Sequence, residues 1–246
     1  MKKLCLFLIL SITLSSISFA KYTKNGFGCP QRGINGLWGY SSYIRGVKDI
    51  PCIYKDAECF TDDGTALVMN EKGYYGIIVD NGKILIPCKY RSTAYYGFFN
   101  EGMISVMNDD SLWGFCDYKG KEVIPCKYNI GDDDYFIDFR FYEGYALVPV
   151  DSNTYMFIDK TGKQMWGLTF KSGRHFSEGY AAVEVDTNTW MFIDKTGKQM
   201  WGLTFKDIID DFSWGNQGCY ARVGIRTEDG YHIYDVNTRG ELFFRR

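Results

Sequence analysis

Apolar residues in this chain come in short bursts, not in long helical runs. Ala146-Leu147-Val148-Pro149-Val150, Tyr180-Ala181-Ala182-Val183, Trp113-Gly114-Phe115 and Ile124-Pro125-Cys126-Lys127-Tyr128 are typical. Each is rich in aromatic or β-branched residues and is bounded by Gly, Asp, Asn or Lys. That pattern predicts short β-strands joined by tight turns. Where both faces are apolar, as at 146–150, the strand is covered on both sides by neighbours.

The bursts recur in a fixed order. Residues 156–171 and 191–206 both read MFIDKTGKQMWGLTFK, so 16 residues repeat letter for letter at an offset of 35. This makes the chain a repeat array. A first slot opens a strand at Trp38-Gly39-Tyr40, Tyr75-Gly76-Ile77, Trp113-Gly114-Phe115, Tyr155-Met156-Phe157, Trp190-Met191-Phe192 and Tyr231-His232-Ile233. A second slot reads Ile-Pro-Cys at 50–52, 86–88 and 124–126, and Trp-Gly-Leu at 166–168 and 201–203. A third slot is an acidic-Gly turn entering a strand, at Glu101-Gly102, Glu143-Gly144 and Glu178-Gly179, with Asp63-Gly64 and Gln217-Gly218 as variants. Successive second slots lie 36, 38, 42 and 35 residues apart, giving about six units, the last truncated. Each unit reads as three strands, with room for a fourth. Asp117, Asp159, Asp194 and Asp235 are assigned to turn opening, because Asp accepts backbone N–H bonds there while a later Gly adopts positive φ. Pro in the second slot cannot donate to a ladder, and its exchange for Gly predicts a bulge or bend.

These motifs resemble the WG-repeat (KWG-repeat) family, which is mainly bacterial. The Trp-Gly-aromatic strand, Asp-x-x-Gly-Lys turn, Ile-Pro-x-x-Tyr strand and Glu-Gly-x-Ala-x-Val strand recur over residues 36–242. Met156 and Met191 depart from the pattern by replacing its Gly, and Trp-Gly departs from it by replacing Ile-Pro. The resemblance implies an all-β fold of tandem β-meander units, propeller-like, without a shared enzymatic activity. A closed propeller of about six units is the first expectation, since closure hides sheet edges, and pairing of 231–235 and 241–244 with the N-terminal stretch would close it. An open β-repeat array is the alternative.

The remaining composition sets the context. Residues 1–20 combine Lys2 and Lys3, an apolar run at 4–10 and Ser18-Phe19-Ala20, the pattern of a cleavable signal peptide. Domains follow as signal peptide 1–20, N-terminal segment 21–35 and repeat domain 36–246. The expected location is secreted or periplasmic, in a bacterial envelope, with no membrane span after cleavage. Loss of Lys2 and Lys3 would take the net charge from −2 to −4, which argues against nucleic-acid partners. Export permits disulfides. Cys52, Cys88 and Cys126 share a slot with Leu168 and Leu203, and Cys116 one with Ile158 and Ile193, so these four read as buried thiols. A disulfide is expected among Cys29, Cys59 and Cys219, with the pair left open.

Motifs for nucleophilic, phosphate or zinc chemistry are absent from the sequence. His175 and His232 have no partner at a telling spacing, and the carboxylates recur from unit to unit. No catalytic residue, cofactor or metal ligand is therefore assigned. Long segments after the second slot are the irregular features. Asp132, Asp133, Asp134, Tyr135 and Phe136 lie in one, and Asp210, Asp211 and Trp214 in another. Tyr95 and Tyr96, followed by Phe98 and Phe99, lie in a shorter equivalent. Insertions at one repeat position emerge on one face of an array, often the binding face. These segments read as loops that engage a protein partner. Two other readings stay open: a carbohydrate-binding module using Tyr95, Tyr96, Phe98 and Phe99, and a glycoside hydrolase on a propeller scaffold. For Asp132, Asp133 and Asp134 a solvated acidic loop outweighs Ca²⁺ binding, and for the loop aromatics the competing role is to seal the core.

Overall fold

Apolar bursts become strands, and the turn clusters between them become hairpins. The computed structural model describes residues 23–93, 97–130, 139–215 and 218–244. Residues 1–20, expected as a signal peptide, together with Tyr95, Tyr96, Asp132, Asp133, Asp134, Tyr135 and Phe136, lie outside the described residues. Among the described residues there is no α-helix, and no helix long and apolar enough to cross a membrane.

Six antiparallel sheets follow one another in chain order. The first holds β1 (Gln31–Arg32), β2 (Trp38–Tyr40) and β3 (Ile50–Tyr54). β4 (Asp56–Ala57), β5 (Thr65–Met69), β6 (Tyr75–Val79) and β7 (Ile84–Tyr90) make the second. β8 (Ser92–Thr93), β9 (Met103–Met107), β10 (Trp113–Asp117) and β11 (Glu122–Tyr128) repeat that order in the third. The fourth is β12 (Tyr145–Asp151) with β13 (Thr154–Asp159), and the fifth is β14 (Ser172–Gly173), β15 (Tyr180–Asp186) and β16 (Thr189–Asp194). β17 (Asp207–Gly215), β18 (Gly218–Thr227), β19 (Gly230–Asn237) and β20 (Leu242–Phe244) complete the sixth. A full unit is thus a four-stranded meander whose extra first strand follows the second slot of the unit before.

The core is divided among the five spaces between consecutive sheets. Alternate residues of one strand face opposite neighbours, as the two-residue period of a strand requires. Ala66 and Val68 pack with Tyr40 and Ile50 of the first unit and with Phe60 of the segment between β4 and β5, while Leu67 faces Ile104 and Val106 of the third. Ala146 and Val148 face back to Phe115 and Ile124, and Leu147 faces forward to Phe176 and Val183. Ala182 turns toward Ile208, Phe212 and Val223 of the last sheet. The fold is all-β and repeats as the motifs imply. The expected closure by terminal strands is not made among the described residues. β19 pairs with β18 and β20, and β20 with β19, so the last sheet is completed by its own chain.

The Trp-Gly dipeptide has a steric cause. The register between β10 and β11 shifts across Trp113 and Phe115, a bulge at Pro125. The bulged backbone lies against Gly114, where a Cβ would sit 2.5 Å from the Ile124 carbonyl oxygen. Gly39 and Gly76 face the same obstruction, at 2.6 Å from the carbonyl oxygens of Ile50 and Ile86. Units that carry Met156 or Met191 instead abandon the second-slot strand expected there. Trp166-Gly167 and Trp201-Gly202 are turns with both residues at positive φ, 54° and 68°, then 56° and 67°. Single bridges, Tyr155 to Phe170 and Trp190 to Phe205, rejoin the ladder beyond them.

The same bulge corrects the reading of the thiols. Cys116 is fully buried, but Cys52, Cys88 and Cys126 are only half-buried. Their sulfurs lie beside the carbonyls of Gln31, Val68 and Val106 at 3.8, 4.0 and 3.6 Å. Burial still raises the Cys88 thiol and pushes Cys126 up to about 11, which keeps both protonated at neutral pH. The open disulfide question resolves to Cys29–Cys59, closing 30 residues. Cys219 is buried in the last core layer.

Along one edge of the array the acidic-Gly turns are tied together. Glu101, Glu143 and Glu178 occupy the left-handed region, with φ of 49°, 51° and 53°. The Glu101 carboxylate accepts the backbone N–H groups of Glu143 and, at 2.9 Å, Gly144. Glu143 accepts the N–H of Gly179 at 2.9 Å. The following turn adds an ammonium each time: Lys160 lies 3.1 Å from Glu101, and Lys195 lies 3.1 Å from Glu143. Burial alone would raise the Glu101 carboxyl. Bonds from Lys160, Gly144 and Glu143 outweigh it and hold the group below its ordinary value.

Two outcomes follow from this packing. Gly114→Ala is expected to cost about 2 kcal/mol in urea unfolding, because backbone rather than a flexible side chain must move. Glu101→Gln is expected to cost about 1 kcal/mol at pH 7, the value of a partly exposed charged bond. A depressed carboxyl stabilises the fold above its unfolded value and loses that contribution as pH falls through the folded one. The gap between wild type and Glu101→Gln should therefore close below pH 4.5, the ordinary value for this group. A gap unchanged at pH 3 would show that the carboxylate charge is not what binds the units.

Candidate functional site

The segment 207–214, expected as a loop, is instead the bulged edge strand β17. Its register with β18 shifts twice, between Ile208 and Asp210 and between Asp210 and Ser213. The reason is packing: Ile208 and Phe212 both enter the last core layer, and the bulges absorb the residues between them. Phe212 stands where Phe141 and Phe176 stand in earlier interfaces, packed on Phe192 at 5.0 Å as Phe176 packs on Phe157 at 5.1 Å.

The expected site residues on this strand separate. Asp210 pairs with Arg222 Nη1 at 2.9 Å. Asp211 lies 3.7 Å from Arg174 Nη1 and 3.9 Å from His175 Nε2. Burial raises the Asp211 carboxyl above its ordinary value against the pull of Arg174 and His175. Arg174 also donates to the Ile208 carbonyl at 2.6 Å, and His175 stacks on Tyr142 at 4.1 Å. Asp210 thus ties β17 to β18 within the last sheet, and Asp211 joins that sheet to the unit before it. Trp214 behaves differently. Its ring is 73% exposed, and its Nε1–H donates to Glu178 Oε2 at 2.9 Å.

Glu178 is the last member of the glutamate series. It lines a cavity of about 720 Å³ with Trp214, Tyr180, Tyr220, Phe243, Asp235 and the turn 237–239. That turn is opened by Asn237, not by Asp235 as expected: Asn237 Oδ1 accepts the N–H groups of Arg239 and Glu241 at 2.9 and 3.0 Å. Arg239 Nη2 pairs with Glu241 at 2.8 Å. Carboxylate, amide, hydroxyl and four aromatic rings therefore converge at the C-terminal end of the array. The sequence reading chose Trp214 but missed the rest. The available signal was the turn Asn237-Thr238-Arg239-Gly240, which departs from Asp-Lys-Thr-Gly at three positions.

Elsewhere, Phe98 is exposed, while Phe99 packs edge-on against Tyr118 at 4.9 Å. Phe139, from the first acidic-aromatic segment, stacks on Phe115 at 4.7 Å inside the core. Among the described residues no three His, Cys, Asp or Glu side chains gather as a metal site.

Comparison with known proteins returns the repeat. The family model for the WG containing repeat matches residues 75–110, 113–152 and 155–187. No curated protein matches the chain. Among solved structures, BamB from Moraxella catarrhalis is 12% identical, with 92% of this chain and 75% of that one covered and a TM-score of 0.41. The computationally designed Ika8 protein is 11% identical, with 90% and 71% covered and a TM-score of 0.40. Likeness at that level carries no argument about activity. The three matched segments run from β6 in the second sheet to β15 in the fifth, so this chain carries tandem WG repeats over residues 75–187.

Proposed function

We propose that this is an exported, non-catalytic binding module that holds a protein partner at the C-terminal end of its repeat array. The observation that supports this reading best is Trp214. A large aromatic ring kept 73% exposed and fixed by Glu178 beside a cavity is costly in water and useful in an interface. The non-catalytic reading draws on how the carboxylates are used. Asp159 and Asp194 accept turn N–H groups, and Glu101, Glu143, Asp210 and Asp211 hold neighbouring units or strands. Export draws on the leader-like residues 1–20, and the bacterial envelope is the compartment that this reading assigns.

The test is capture from native envelope extract. Trp214→Ala should weaken capture about tenfold, the loss typical of an aromatic anchor, while block substitution of 132–136 tests the first acidic-aromatic segment. Full capture by both variants would reject this face as the interface. Fractionation of cells expressing the full chain tests export, which fails if the protein stays in the cytoplasm with residues 1–20 attached.

A further inference from the structure

We propose that the terminal cavity is a receptor for a lysine ammonium presented by the protein partner; this deepens, and rests on, the protein-binding reading above. The chain builds the same receptor twice and fills it itself. Glu101 takes Lys160 from the next unit, and Glu143 takes Lys195, each with N···O of 3.1 Å. In both cases the lysine is the second residue of the Asp-Lys-Thr-Gly turn. The third instance pairs Glu178 with the turn that starts at Asn237, and there the second residue is Thr238. Threonine is shorter and uncharged. Glu178 and Thr238 both line the cavity, so the cavity lies where the lysine arm runs in the two earlier interfaces.

The surroundings suit that guest. Among the described residues Glu178 meets an indole N–H rather than a cation. Trp214, Tyr180, Tyr220 and Phe243 supply aromatic walls for the methylene arm and for cation–π contact with the charge. Arg239, the cation at the rim, is paired with Glu241, and Asp235 lies 3.9 Å from Arg222 Nε. The carboxylate already positioned for an ammonium is therefore Glu178. Neutral sugars would use the rings but leave the charge unanswered, which is why an ammonium is favoured over a glycan.

The experiment titrates full-length protein with Nα-acetyl-lysine methylamide and follows the Trp214 indole N–H resonance. Saturable shifts are expected, with none from the Nε-acetylated analogue. Glu178→Gln should bind about tenfold more weakly. Thr238→Lys should refill the site from within, abolishing probe binding and raising the melting temperature. It should also lose partner capture. Equal binding of the Nε-acetylated analogue would overturn the proposal. So would preferential shifts with methyl glycosides, or unchanged probe affinity in a folded Thr238→Lys protein. Undiminished partner capture by Thr238→Lys would sink the ammonium receptor while leaving the protein-binding reading to Trp214→Ala.

Discussion

The backbone N–H bonds that Glu101 and Glu143 accept from the following unit are the constraint on which the array depends. A non-glycine residue at positive φ carries a strain cost of about 1 kcal/mol. Glu101, Glu143 and Glu178 adopt it three times over. That conformation places the carboxylate of one turn against the N–H groups of the next, where no strand is available to accept them. The apolar layers between sheets supply most of the driving force for stacking, but burial is non-directional. The glutamate series gives the stacking its register. It also has an end. Its last copy, Glu178, meets the Trp214 indole N–H of the following sheet at 2.9 Å.

The second slot shows how two local solutions solve one geometric problem. A bulge at Pro presses backbone onto the first-slot strand, so that strand must carry Gly. A Trp-Gly turn lifts the backbone away, so the strand can carry Met. The substitutions therefore travel together, and neither makes sense alone. Gly197 and Gly240 extend the coupling to the next unit. A Cβ at either would sit 2.6 or 2.4 Å from the Cγ of Trp166 or Trp201. The Trp of one unit thus packs onto the turn glycine of the unit that follows, a glycine whose φ of 78° or 80° the turn itself already requires.

Much of the fold was legible in the sequence, and less of the site. Strand slots, turn openers at Asp117, Asp159 and Asp194, and the bulge at Pro were readable because turn chemistry and period-two burial are local. Asp235 was misassigned because the last unit shifts its turn to Asn237, a change that only hydrogen-bond partners reveal. The half-exposure of Cys52, Cys88 and Cys126 was missed because slot equivalence was equated with burial, whereas the bulge turns that slot partly outward. Asp207–Gly215 looked like a loop by length and charge. Two bulges and the pull of Ile208 and Phe212 into the core make it a strand.

By itself, the sequence determined the repeat, its all-β character and the order of strands within each unit. These depend on residues a few positions apart and on patterns that recur. Tertiary structure decided which aromatic faced inward and which faced water, which cysteines met, and where the glutamate series ran out. Phe212 and Trp214 are two residues apart and chemically alike, yet one is buried against Phe192 and the other stands exposed beside Glu178. The difference lies in what the neighbouring unit, some 35 residues earlier, places opposite each of them, and no local rule encodes that.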